Sequence, residues 1–138
     1  MEQFNIIIGT HGRFGEELVK SAEMIAGDMS HVSCVSLYPN ESLIEYMEKA
    51  TAELESKKGY TIVLVDLYGG TPCNAFTALC EKKYGFQVLT GLNLGLLIEL
   101  NMKLTFADEI NEEELIAQCQ EVVRNSCVHT NQVLGKNE

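Results

Sequence analysis

Short apolar runs, each handing on to a stretch of helical periodicity, constrain this chain more than any other feature of its sequence. Phe4–Gly9 (FNIIIG) and Tyr60–Asp66 (YTIVLVD) read as strands covered on both faces, and Val32–Tyr38 supplies a further strand between them. After the first strand, Phe14, Leu18, Ala22 and Ile25 recur at helical spacing until Gly27 stops the helix. After the second, Pro39-Asn40 turns the chain, and Asn40 is placed to cap a helix with the face Leu43, Met47, Ala50 and Leu54. After the third, Gly69-Gly70 forms a loop. Thr71-Pro72 then reads as an N-cap and a first-position proline, opening a helix through Ala75, Phe76 and Leu79 toward Tyr84.

Phe86–Thr90 adds a fourth short strand, and Asn93 starts a helix through Leu97 and Glu99. Leu104–Phe106 reads as a brief extended piece. Asn111 with Glu114 makes a capping box for a last helix over Leu115, Ile116, Cys119, Val122 and Val123, and the tail from His129 is polar and expected to be loose. Strands alternating with helices in this way imply an α/β, doubly wound parallel sheet, and right-handed crossovers make 2-1-3-4 the economical strand order. With 138 residues and 46% apolar content, the expectation is one domain over residues 1–127 and a polar C-terminal tail over 128–138.

Charge and composition narrow the function. A net charge of −10 argues against a nucleic-acid partner, which needs clustered Lys and Arg. No apolar stretch approaches the ~20 residues of a membrane span, and Glu2-Gln3 does not open a secretory signal, so a cytoplasmic protein is expected. Cys34, Cys73, Cys80, Cys119 and Cys127 include no C-x-x-C pair, which points to reduced thiols and away from zinc or another metal. Cys73 falls in the first turn of a helix, where a thiolate is stabilised, but no histidine is adjacent in sequence to activate it.

In an open sheet of this order, ligands sit beyond the carboxyl ends of the strands, between the first and the third. Gly9-Thr10-His11-Gly12 and Asp66-Leu67-Tyr68-Gly69-Gly70-Thr71-Pro72 are delivered there. An unprotonated imidazole nitrogen is a nucleophile toward phosphorus, and Asp66 can fix the His11 tautomer and stabilise charge on the ring. Free amides at Gly70 and Thr71, with the Thr71 hydroxyl, suit phosphoryl oxygens. Separately, each element has an ordinary structural reading: a polar loop histidine, a turn-capping aspartate, a tight glycine turn. Their convergence on one crevice favours phosphoryl chemistry. His31 lies at the opposite end of the sheet and His129 in the tail, and no dinucleotide or P-loop motif is present, so no cofactor is expected.

The segments Gly9–Gly12 (GTHG), Val65–Asn74 (VDLYGGTPCN) and Gly91–Glu99 (GLNLGLLIE) resemble the mannose-family enzyme IIA of the bacterial phosphoenolpyruvate-dependent sugar phosphotransferase system. The likeness spans nearly the whole chain in the same order and spacing. It implies a homodimer with an antiparallel strand exchanged between subunits, here placed at Leu104–Asp108. It further implies that His11 accepts phosphoryl from the phosphocarrier HPr and passes it to a IIB component, with Asp66 orienting His11. Gly69, Gly70 and Thr71 would hold the phosphoryl group, and Gly91–Leu94 would line the rim. No linker to a fused IIB domain is seen, so IIB is expected on a separate polypeptide, with the membrane reached only through IIC and IID components. Arg13-Phe14 departs from the residues family members often carry after the histidine.

Two rivals remain at this point. A signalling receiver domain would use Asp66 as the phosphoryl acceptor, but it would need an acidic pair where Gly9-Thr10-His11 stands. A non-catalytic module would bind a phosphometabolite at the same helix start. The phosphocarrier that feeds dihydroxyacetone kinase is a near relative, and the GGTP segment favours the sugar system.

Overall fold

Four parallel strands, ordered across the sheet as the second, first, third and fourth along the chain, form the centre of the molecule, as the alternating pattern requires. The computed structural model describes residues 3–136. The elements run β1 (Phe4–His11), α1 (Phe14–Ala26), β2 (Val32–Leu37), α2 (Leu43–Glu55), β3 (Tyr60–Val65), α3 (Thr71–Leu79), β4 (Gln87–Leu89), α4 (Leu94–Phe106), α5 (Glu112–Arg124) and α6 (Thr130–Lys136). A single π-helical turn, Cys80–Tyr84, extends α3 and closes with a bond from the Gly85 amide to the Cys80 carbonyl.

The two-residue period of the strands divides the core. Ile6, Ile8, Ile62 and Leu64 pack with Ala22 of α1, Leu96, Leu97, Leu100 and Leu104 of α4, and Leu115 and Cys119 of α5. Ile7, Val35, Val63 and Val65 face the other way, onto Tyr46, Ala50 and Leu54 of α2 and Cys73, Ala75 and Phe76 of α3. At ~1.5–3 kcal/mol for each fully buried aliphatic side chain, these two layers supply the main drive to fold and hold β1 and β3 in register, from Phe4 opposite Tyr60 to Gly9 opposite Val65.

Several local expectations are corrected. Asn40 does not cap α2. It occupies the left-handed region (φ 76) of a turn whose first position is Tyr38, and Ser42 is the cap, in a reciprocal box with Glu45. Tyr46 is fully buried on the inner face of α2, whereas Leu43 is exposed. Leu104–Phe106 is not extended: it is the last turn of α4, so the strand exchange placed at Leu104–Asp108 has no strand there. Leu104 continues the inward row of Leu97 and Leu100, and the Thr105 hydroxyl donates to the Asn101 carbonyl one turn back. Asn111 does cap α5, but Glu114 accepts from Gln118 instead of completing the box. The tail expected to be loose contains a helix, Thr130–Lys136.

Candidate functional site

β1 and β3 end side by side, and each delivers one reactive residue as it ends. The strand β1 carries His11 at its last position, and Asp66 follows β3 directly. His11 Nδ1 lies 2.9 Å from Asp66 Oδ2, the same oxygen accepts the His11 backbone amide at 2.9 Å, and Asp66 Oδ1 accepts the Leu67 amide at 2.9 Å. The aspartate side chain is 13% exposed and that of the histidine 47%. A carboxylate can only accept, so Nδ1 carries a ring proton and donates; in the neutral ring this places the lone pair on Nε2, at the open edge.

The second loop meets that edge. Leu67, Tyr68, Gly69 and Gly70 form a type II turn, closed by the Gly70 amide donating to the Leu67 carbonyl at 3.1 Å, with Gly69 at φ 82 in the position that demands a left-handed residue. Gly70 then caps α3 in an extended conformation, so Thr71 is the first helical residue and not the cap. This one-residue shift leaves the Thr71 hydroxyl without a capping task. A methyl group on Gly70 would lie 2.7 Å from His11 Cε1 and 3.3 Å from Nε2, so the imidazole edge rests against the bare Cα of Gly70.

Of the two amides expected to be free, Gly70's is committed to the turn. Among the described residues, those of Gly69, Thr71 and Cys73 meet no acceptor, and they stand at or just before the positive end of α3. Cys73 is buried. The Gly91–Leu94 loop is held at the same end of the sheet, its Leu92 amide donating to the Val65 carbonyl at 3.2 Å.

Deeper support comes from residues that sequence reasoning left without a role. The Thr10 hydroxyl accepts the Gly15 amide at 2.9 Å and donates to the Gly12 carbonyl at 3.3 Å, tying the loop after His11 to the start of α1. Beneath Gly9, the Tyr46 hydroxyl donates to the Val35 carbonyl at 2.7 Å; burial first, then the charge of Asp66, pushes its pKa up and keeps it a donor. Asn74 reaches back to the Gly69 carbonyl. Around the histidine, Phe14, Leu67 and Tyr68 are exposed apolar residues, and Tyr68 is 85% exposed. Arg13 is exposed and pairs with Glu17. His31 stacks on Phe4 at the amino end of the sheet, and His129 is exposed beyond α5, so neither joins the crevice.

These features define a class: a small doubly wound α/β domain that presents an oriented, half-exposed imidazole to a glycine-built helix start at the reversal of strand order. Comparison with known proteins gives the family. The sequence model described as "PTS system fructose IIA component" (EIIA-man) matches residues 5–120. The chain belongs to this mannose family of IIA components of sugar phosphotransferase systems. It is 36% identical over 122 residues to the mannose-specific EIIAB component of Escherichia coli, covering 86% of this chain and 37% of that protein, so it spans little more than a third of such relatives. The sorbose-specific EIIA component of Lacticaseibacillus casei is 26% identical over 85% of this chain and 83% of its own length. Among solved structures, the phosphotransferase system component EIIA from Streptococcus agalactiae superposes with a TM-score of 0.82 at 29% identity, covering 94% of this chain and 99% of that one. Among the described residues, no helix is long and apolar enough to cross a membrane.

Proposed function

We propose that this protein is a cytoplasmic phosphoryl carrier that accepts a phosphoryl group from HPr on His11 Nε2 and passes it to a IIB component during sugar uptake. The observation that carries the reading is the 2.9 Å bond from His11 Nδ1 to Asp66, which in the neutral ring puts the free lone pair on Nε2, beside Gly70. In the forward step the Nε2 lone pair attacks phosphorus, the new N–P bond forms, and the donor's N–P bond breaks with its electron pair returning to the donor imidazole. The His11 ring then bears a proton on Nδ1 and phosphorus on Nε2. It is an imidazolium, and the Asp66 carboxylate offsets that charge. The open amides of Gly69 and Thr71 and the Thr71 hydroxyl hold the phosphoryl oxygens, while Gly70 admits the group by having no side chain. No metal or nucleotide is required for a transfer that depends on positioning and charge stabilisation.

The shallow placement of the ring and the apolar residues beside it suit a donor and an acceptor that are proteins. The membrane would be reached only through IIC and IID components, and the chain would work as a homodimer. The test is labelling with phosphoenolpyruvate, enzyme I and HPr, with site mapping at neutral pH. The label is expected on His11 and absent from His11→Ala, and Asp66→Ala is expected to fold and transfer slowly. A label that persists in His11→Ala would move the site elsewhere.

A further inference from the structure

The peptide between Gly69 and Gly70 is flanked by two residues without Cβ atoms and is the least sterically restrained rotor beside the His11 ring. Two bonds restrain it. The Gly70 amide is drawn back to the Leu67 carbonyl, and the Gly69 carbonyl accepts Asn74 Nδ2 at 3.1 Å. The backbone amide of Asn74 also donates to the Gly70 carbonyl at 2.9 Å, so one residue of α3 occupies both oxygens of the glycine pair. Asparagine is a poor residue inside a helix because its side chain competes for backbone groups, and here that competition is directed at the loop.

On the reading of His11 as phosphoryl acceptor, we infer that Asn74 is a positioning residue for the transfer, clamping the Gly69–Gly70 peptide so that a phosphoryl group on Nε2 meets the open amides of Gly69 and Thr71 on either side of it and not the Gly69 carbonyl lone pair. Without the clamp, rotation of that peptide exposes the Gly69 oxygen to a group carrying about two negative charges. The Asn74 side chain does not touch the phosphoryl site itself, and its side chain is exposed, so its removal leaves the core intact.

The experiment compares wild type, Asn74→Ala and Asn74→Asp as purified full chains in transfer from phosphorylated HPr, with thermal unfolding measured in parallel. The alanine variant is expected to lower turnover about tenfold with KM for the donor unchanged, the loss of an interaction made during transfer and not in docking. The aspartate variant separates positioning from stability. A carboxylate in the first turns of a helix is favourable for folding, so Asn74→Asp should unfold no earlier than Asn74→Ala, yet transfer more slowly because an acceptor faces the Gly69 oxygen. Wild-type turnover in both variants, or losses that only track the folded fraction, would overturn the role of Asn74 while leaving His11 in place. A wild type that takes no label on His11 would overturn both readings.

Discussion

Gly69 and Gly70 are neighbours with opposite needs. Gly69 sits at φ 82, where nothing within 4 Å would meet a side chain, so Gly69→Ala should cost ~1–2 kcal/mol through backbone strain alone. Gly70 sits at φ −76 and ψ 167, a conformation open to any residue, but its methyl group would collide with the His11 ring. Gly70→Ala is therefore predicted to cost only about 1 kcal/mol in urea unfolding, through the poorer cap and the displaced ring. It should lose about a hundredfold in phosphoryl transfer, since displacement of a reacting atom by about 1 Å costs on that order. A variant that transfers at the wild-type rate would show that the ring does not use this edge. Much of the candidate site is legible in the sequence: that His11, Asp66 and the glycine pair come together follows from where two buried strands must end. Which amide is spent and which is open is not legible, because it depends on the turn type that φ at Gly69 selects. Asn74 stands inside the VDLYGGTPCN segment, yet its bond to Gly69 is visible only once α3 has its true first residue.

At the scale of elements, α1 begins without a cap of its own, since the side chain of Arg13 makes no capping bond. The hydroxyl of Thr10, three residues earlier and 1% exposed on β1, takes that part through the Gly15 amide. Gly15 allows the approach, as a methyl group there would lie 2.8 Å from Ile8 Cγ2 and 3.1 Å from Thr10 Oγ1. Thr10→Val keeps the shape and removes the acceptor, leaving a buried N–H unpaired. The expected cost is ~1–3 kcal/mol in urea unfolding, with slower transfer as the loop bearing His11 loosens. Thr10→Ser should restore both, and a valine variant as stable as wild type would remove the hydroxyl from this account. The same scale explains the misplaced caps. Asn40 and Ser42 are both good capping residues, as Gly70 and Thr71 are both plausible starts. The choice is made by φ at Asn40 and by the extended backbone of Gly70, which a one-dimensional pattern does not carry.

Across the whole molecule, the doubly wound order 2-1-3-4 is legible because Phe4–Gly9 and Tyr60–Asp66 are apolar on both alternations, and only a sheet covered on two faces can use such strands. The C-terminal helix is not, since seven largely polar residues carry too little periodicity to register. That two-sided cover also decides the thiol chemistry. Burial pushes the pKa of Cys80 up to about 11. For Cys34 burial acts first and the charges of Glu16 and Glu53 add to it, again reaching about 11; Cys119 is raised by burial, and Cys73 is covered by its layer. At pH 8 a thiol at about 11 is roughly one part in a thousand thiolate, the reactive form, against about a tenth for one at the unfolded value near 9. Cys127 is exposed, so a thiol reagent at pH 8 should modify one fast-reacting cysteine per folded chain and five after denaturation. The same two thiols set a sign for alkaline stability. Their neutral forms are favoured by the fold, so the contribution is complete below the unfolded value near 9 and is lost as pH rises toward about 11. Urea midpoints should therefore fall across that window, and a Cys34→Ser, Cys80→Ala double variant should flatten the fall. A second fast thiol at pH 8 would mean that one face of the sheet opens far more readily than its packing allows.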